Sequence, residues 1–424
     1  MQQIVNKEYK ELFTSNSRYI ILMGGRGAGR STVASQFANA NLIGDKYFRC
    51  AIMRYILGDI RNSIYREILD RAEENETKEA LDINDSNMTI TYGKNTINAV
   101  GFRKSSGDQK SKLKSLANYN CVIIEEADEI LEEDFMQLDD SLRTVKSDIK
   151  IILLLNPPAK SHWIIKRWFN LIPSDYPNFF IPELKKEVTD TTFIRTSYLD
   201  NIKNISEQSI KNYKEYEKTK PDHYCNMILG LVPETVRGKI YTNWNVIEEL
   251  PHEARLERYG LDFGFTNDPT AIVGVYRHNG GFIVDEVAYT KGLLNNQIAA
   301  ILNMQPKSIV IADSAEPKSI EDLKQFDLMV MPAVKGADSI KRGIDKVKQL
   351  RISITARSKN IITEYENYAW LEDKEGKGLN VPKPGYDHAM DALRYAFESL
   401  VPDEEPEPED TFVEERPLYP GIGI

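Results

Sequence analysis

The stretch GGRGAGRST, residues 24–32, combines glycines at Gly24 and Gly29 with a cation at Arg30 and a hydroxyl at Ser31. Backbone N–H groups of such a glycine-rich turn can cradle the β- and γ-phosphates of a nucleotide, and the hydroxyl can bind Mg²⁺. Phosphate loops of this spacing carry lysine where this chain has Arg30. Arginine keeps a permanent charge and offers a fork of donors, on a longer, planar head. Arg26, inside the loop, is a second cation that could share or take over the contact. The candidate nucleotide-binding set is therefore Gly24, Gly25, Arg26, Gly27, Ala28, Gly29, Arg30, Ser31 and Thr32.

Two further segments extend this set. CVIIEE, residues 121–126, is an apolar run ending in two acids. At the end of a buried strand, Glu125 can face the Mg²⁺ shell and Glu126 the attacking water. LLLNPP, residues 153–158, ends a second apolar run in Asn156, which is placed either to sense a γ-phosphate or to cap a turn before the prolines.

A separate group of acids lies in the second half. GLDFGFTNDPTA puts Asp262 inside an apolar strand, where a carboxylate is costly unless a cation meets it. SIVIAD ends another strand in Asp313, and GYDHAMDALRYAFESL opens a helix with Asp387, His388 and Asp391. On that helix Met390, Leu393, Phe397 and Leu400 form an apolar stripe, while i, i+3 and i, i+4 spacing lets Asp387, His388 and Asp391 aim at one point. Two strand carboxylates and one helix carboxylate are the constellation of a two-metal phosphodiester nuclease, with Asp262 the best bridging ligand. Hard oxygen donors and a single histidine favour Mg²⁺ or Mn²⁺ over zinc. Asp387 can alternatively be a helix cap, and Asp313 can cap the following helix.

The elements that must hold these residues follow a readable rhythm. Apolar runs at 18–23, 50–54, 121–126 and 149–157 alternate with helical spacing at 31–43 and 58–74, and residues 88–101 form a hairpin turning near Gly93–Asn95. This predicts an α/β fold: a P-loop NTPase domain with a mostly parallel sheet, residues 1–199. Polar residues 200–235 read as a linker. Three strands joined by short turns, one at Asn279-Gly280-Gly281, then lead into strand–helix alternation, which predicts an RNase H-like nuclease domain over 236–400. The tail 401–424 holds five prolines and a net charge of −7, and is expected to stay disordered without a partner.

The whole chain of 424 residues carries a net charge of −10, so residues 1–400 carry only −3 and leave room for a local basic stripe. RKSSGDQKSKLKS (103–115) and VKGADSIKRGIDKVK (334–348) are the segments expected near DNA phosphates. No run of 18 apolar residues and no apolar leader is present, which argues against a membrane span or a secretory signal. Cys50, Cys121 and Cys225 are scattered, without metal-ligand spacing.

Taken together, GGRGAGRS, VIIEEADE, the segment Asn156–Trp163, GLDFGFTNDPTA, IADSAEPKS and DHAMDALRYA resemble the large terminase subunit of tailed bacteriophages over about residues 1–400. The resemblance implies ATP binding by Gly24–Ser31, Glu125 and Glu126 as Walker B and catalytic acids, and Asn156 in a coupling motif. It implies Asp262, Asp313 and Asp391 as nuclease acids, with His388 as a possible metal ligand. It further implies ATP-driven translocation of double-stranded DNA into a procapsid, cleavage of concatemeric DNA, a portal protein, a small terminase subunit and a homo-oligomeric ring. The setting would be the bacterial host cytoplasm and, transiently, the portal vertex. Many relatives carry lysine at the Arg30 position. Arg103 and Arg143 are the candidates for an arginine finger. The competing reading is an ATP-dependent DNA repair or resolvase-type nuclease with no capsid role.

Overall fold

The strand Tyr19–Gly24, an unbroken apolar run, is buried along its whole length. It runs parallel to a neighbour on each side, which is why its residues are apolar on both faces rather than alternating. In the computed structural model, residues 6–103, 113–266, 268–336, 338–372, 378–398 and 400 are described. The tail 401–424 and most of the basic segment 103–115 lie outside these residues. The chain divides into two units, Met1–Lys239 and Ile240–Ile424.

The first unit is built on an eight-stranded sheet. From edge to edge its strands are Thr191–Thr196, Tyr19–Gly24, Lys150–Leu155, Cys121–Glu125, Arg49–Ile56, Asn95–Arg103, Thr89–Tyr92 and Asp82–Asn84. The first six are mutually parallel, and only the terminal meander is antiparallel. One face packs on the helices Arg30–Leu42 and Ile64–Glu74, the other on Glu132–Ser141 and Trp163–Trp168. This is the parallel-rich α/β architecture expected from the sequence.

Residues 200–235 differ from the linker expectation, because they fold into the first unit. Ile205, Tyr213 and Tyr216 pack around Tyr198, Tyr224 and Ile228, and Val232–Pro233 pairs with Phe179–Leu184. The helix Glu207–Thr219 buries no residue fully. Its contacts are made by tyrosines interspersed among charges, so the segment reads as polar.

In the second unit, strands Arg255–Asp262, Thr270–His278 and Gly281–Thr290 form the expected antiparallel meander. Ile309–Ala312 and Val330–Pro332 extend it on one side, Ile352–Thr355 and Asn245–Ile247 on the other, all by parallel pairing. The helix His388–Glu398 lies on this sheet, with Met390, Leu393, Phe397 and the following Leu400 buried as their spacing predicts. Gly260 permits that approach: a Cβ there would stand 1.9 Å from the carbonyl oxygen of Ala392 in the helix.

Candidate functional site

The glycine-rich turn leaves the strand Tyr19–Gly24 and enters the helix Arg30–Leu42, the strand–turn–helix setting that phosphate loops require. Gly27 and Gly29 take positive φ angles of 77° and 86°, which suit glycine. At Gly25 a Cβ would fall 2.0 Å from the carbonyl oxygen of Ile228, so the loop runs tight against residues 227–230. Arg26 N donates to Met227 O at 2.6 Å, and Asn201 Nδ2 donates to Gly27 O at 2.8 Å. Tyr9 OH donates to the Ala28 carbonyl at 2.8 Å.

Sequence-distant acids converge on the loop's C-terminal side. Ser31 Oγ donates to Glu125 Oε1 at 3.1 Å, while Glu125 Oε2 is buried without a hydrogen-bond partner. A hydroxyl and an unsatisfied buried carboxylate oxygen are the donor chemistry that fits Mg²⁺. Arg30 does not extend along the loop. Its guanidinium donates to Asn156 Oδ1 at 2.8 Å and to the Leu155 carbonyl, and burial draws its pKa below the usual arginine value. Arg26 is exposed. Thr32 Oγ1 turns away, donating to Glu67 Oε1 at 3.0 Å. Asn156 is thus joined to the phosphate loop through Arg30.

Glu126 sits just past its strand in a left-handed conformation, φ 52°, uncommon for a residue with a side chain. Its carboxylate pairs with Arg54 from the adjacent strand Arg49–Ile56. Sequence reading missed Arg54; the available signal was a lone arginine in the apolar run CAIMRYI. Of the two finger candidates, Arg103 is buried and ion-paired with Asp134 at 3.0 Å, so its guanidinium is engaged within its own unit. Arg143 is exposed.

In the second unit, Asp262 ends one strand and Asp313 follows the parallel neighbour, its N–H donating to Leu261 O at 3.0 Å. His388, first residue of the helix, lies 3.3 Å from Asp262 Oδ2 through Nδ1. Burial raises the Asp262 pKa to about 6; the hydrogen bond to His388 lowers it, and the Asp391 and Asp313 charges raise it. Burial works against the His388 cation, but the bond to Asp262 and the fields of Asp387 and Glu364 lift its pKa to about 9. Asp391 bonds Arg394 at 2.9 Å, and Asp313 pairs with Lys335. Asp387 Oδ1 accepts from Gly385 N at 3.1 Å.

Asp262, Asp313 and Asp391 therefore each carry a cationic side chain as partner, while Asp387 has a backbone N–H. Among the described residues, no three or more His, Cys, Asp or Glu groups are gathered closely enough to hold a metal ion. Asp262, Asp313, Asp387, His388 and Asp391 share one end of the sheet without closing into a coordination shell, which departs from the converged ligand set expected from sequence. The donors remain hard oxygens, and the buried Asp262, repelled by the charges of the half-buried Asp391 and Asp313, fits divalent-cation chemistry. The basic segment 334–348 is partly committed within the unit: Lys335 to Asp313, and Lys346 to the carbonyls of Glu398 and Leu400 at 2.9 and 2.7 Å. Lys341 and Arg342 remain exposed.

The family profile described as "Phage terminase large subunit" matches residues 16–231, half of the chain. This chain belongs to that family. The profile "Terminase RNAseH like domain" matches residues 262–399 of this terminase large subunit. It is 26% identical over 405 residues to the terminase large subunit of Bacillus phage SPP1, covering 89% of this chain and 90% of that one. It is 24% identical over 418 residues to the PBSX phage terminase large subunit of Bacillus subtilis strain 168, covering 93% of each. The bacteriophage HK97 large terminase is similar in fold, with a TM-score of 0.50 at 11% identity over 94% of this chain and 95% of that one. Among the described residues, no helix of this terminase is long and apolar enough to cross a membrane.

Proposed function

We propose that this terminase large subunit is a viral DNA-packaging motor protein: its first unit hydrolyses ATP with Mg²⁺ to drive double-stranded DNA into a procapsid, and its second unit cuts concatemeric DNA. The observation that carries the ATPase reading is the Ser31–Glu125 hydrogen bond beside an unsatisfied Glu125 oxygen, at the mouth of a glycine-rich turn. The N–H groups of Gly25 and Arg26 are taken by Thr196 and Met227, so those of 27–31 would cradle phosphates, Ser31 and Glu125 would hold Mg²⁺, and Glu126, once free of Arg54, would orient the attacking water. Arg30 and Asn156 act as one unit, so a γ-phosphate contact at Arg30 is felt at the end of the strand Lys150–Leu155.

In the nuclease reading, Asp262, Asp313 and Asp391, with His388 and Asp387 beside them, would hold two Mg²⁺ or Mn²⁺. Bound there, divalent cations would supply an activated water and neutralise the leaving oxygen. To hold such ions, Asp262, Asp313 and Asp391 would have to leave their pairings with His388, Lys335 and Arg394. Portal protein, small terminase subunit and a ring of like subunits are the partners that this role entails, with the host cytoplasm and portal vertex as its setting. The acidic tail is a candidate for partner docking.

The test is a pair of separating variants. Glu126→Gln should bind ATP and lose turnover by orders of magnitude while cutting plasmid DNA normally. Asp262→Asn should do the opposite. ATP turnover in Glu126→Gln within threefold of the parent, or cleavage persisting in Asp262→Asn at saturating Mn²⁺, would refute the corresponding half. Protection of DNA from nuclease by the protein, empty procapsids and ATP separates packaging from a repair role.

A further inference from the structure

The helix that carries His388 and Asp391 begins with backbone N–H groups that no residue within it can satisfy. The usual source of a cap is the residue just before. Asp387 holds that place by backbone, since Asp391 N donates to Asp387 O at 2.7 Å. Its carboxylate, however, turns back to Gly385 N. The amides of Ala389 and Met390 instead donate to Glu364 Oε2, at 2.7 and 3.0 Å. Glu364 belongs to a different helix, Lys359–Asn367, and Tyr289 OH donates to its other oxygen at 2.7 Å.

Glu364 is only 2% exposed. It stands on a stripe with Ile361, Tyr365 and Tyr368, where an aliphatic side chain would pack without desolvating a carboxylate. What the carboxylate does there is fix a helix end. A helix advances about 100° per residue, so a small turn of its first coil swings Asp387, His388 and Asp391 away from Asp262 and Asp313. With Ala389 and Met390 held from outside, that turn is blocked. The carboxylate of Asp387, the residue best placed to cap, is also left for other duties.

We propose that Glu364 is the positioning residue of the nuclease site: by capping the helix from a neighbouring element, it sets where Asp387, His388 and Asp391 project. The inference rests on the nuclease reading above.

The two oxygens suggest the test. In Glu364→Gln the amide oxygen can keep both helix N–H bonds, and the Tyr289 hydroxyl can rotate to accept from the amide nitrogen. In Glu364→Ala both helix bonds are lost. Mn²⁺ binding to the full chain is read by electron paramagnetic resonance, and amide hydrogen exchange is read at Ala389 and Met390. Loss of an outlying partner of metal ligands typically weakens binding by about 10–100-fold. E364A should fall in that range and exchange faster at both amides, whereas E364Q should stay within about threefold of the parent, well inside that range. Parental Mn²⁺ affinity in folded E364A overturns the inference, as does an equal loss in folded E364Q, which would mean that charge matters and not the cap. If E364A does not fold, E364Q decides alone: parental affinity supports the cap, and a loss overturns it. D262N is the control. Parent protein whose Mn²⁺ binding D262N leaves unchanged would overturn the nuclease reading itself, a result distinct from failure of the cap.

Discussion

Gly260 gives a measurable handle on how the second unit aims its acids. It lies in the strand that ends at Asp262, two residues before that carboxylate, and faces the backbone of the helix carrying Asp391. An alanine methyl would stand 1.9 Å from Ala392 O, whereas close C···O contacts settle near ~3.3 Å. The shortfall of about 1.4 Å must be met by parting helix and strand, because the methyl is fixed to the strand backbone and the oxygen belongs to the helix backbone. Overpacking of this kind costs about 1–3 kcal/mol, read as a melting shift of about 2–4 °C per kcal/mol for a domain of this size. Its effect on chemistry is larger, since a ~1 Å misplacement of reacting groups can cost on the order of a hundredfold in rate. Gly260→Ala should therefore lose about two orders of magnitude in Mn²⁺-dependent plasmid cleavage. ATP turnover, which belongs to the other unit, should stay unchanged. Folded Gly260→Ala protein that cuts within threefold of the parent would show that helix–strand spacing does not set the site.

Other expectations follow from single contacts. Arg54→Ala frees the Glu126 carboxylate, so basal ATP turnover should change by several-fold while nucleotide affinity, measured by a fluorescent analogue, holds; an unchanged rate would make the pair incidental. Arg30→Ala should abolish ATP hydrolysis and Arg30→Lys should retain it, whereas Arg26→Ala should be the milder change; the reverse order in a steady-state assay would move the phosphate contact to Arg26. His223 has its pKa lowered below 6.5, first by burial and then by Arg237, and Arg237 Nη1 lies 3.2 Å from its Nδ1. The neutral form is thus favoured on folding, so its stabilisation is present above pH 6.5 and lost as pH falls through the lower folded value. Thermal melts of His223→Gln between pH 7.5 and 5.5 should show a shallower acid loss than the parent, and identical slopes would dismiss the linkage.

How legible the molecule was depends on how local each signal is. The candidate phosphate loop is a contiguous pattern, and its glycine spacing together with a following hydroxyl can be read without tertiary information. Asp262 was legible because a carboxylate inside an apolar strand is itself an anomaly, and Met390, Leu393 and Phe397 showed the helix face. Arg54, Lys335 and Glu364 were not legible as partners, since Glu126, Asp313 and the amides of Ala389 and Met390 reach them only through folding. Glu364 left one trace: an acid at helical spacing on an otherwise apolar stripe. The segment 200–235 was misread because tyrosines carry its packing, and an aromatic ring among lysines and glutamates scores as polar surroundings.

That segment touches the phosphate loop at Gly25, Arg26 and Gly27, through Ile228, Met227 and Asn201. Between these anchor points rises the helix Glu207–Thr219, 13 residues and so about 20 Å long. Its middle meets the same loop, since a Cβ at Gly27 would stand 3.2 Å from Tyr213 OH, and Tyr213 and Tyr216 pack around Tyr198, Tyr224 and Ile228. Lys214 and Lys218 of this helix, and Lys220 just after it, are exposed. The stretch that looked like slack chain is thus a wall of the glycine-rich turn, so a substitution at Ile205, Tyr213 or Ile228 changes what that turn rests against.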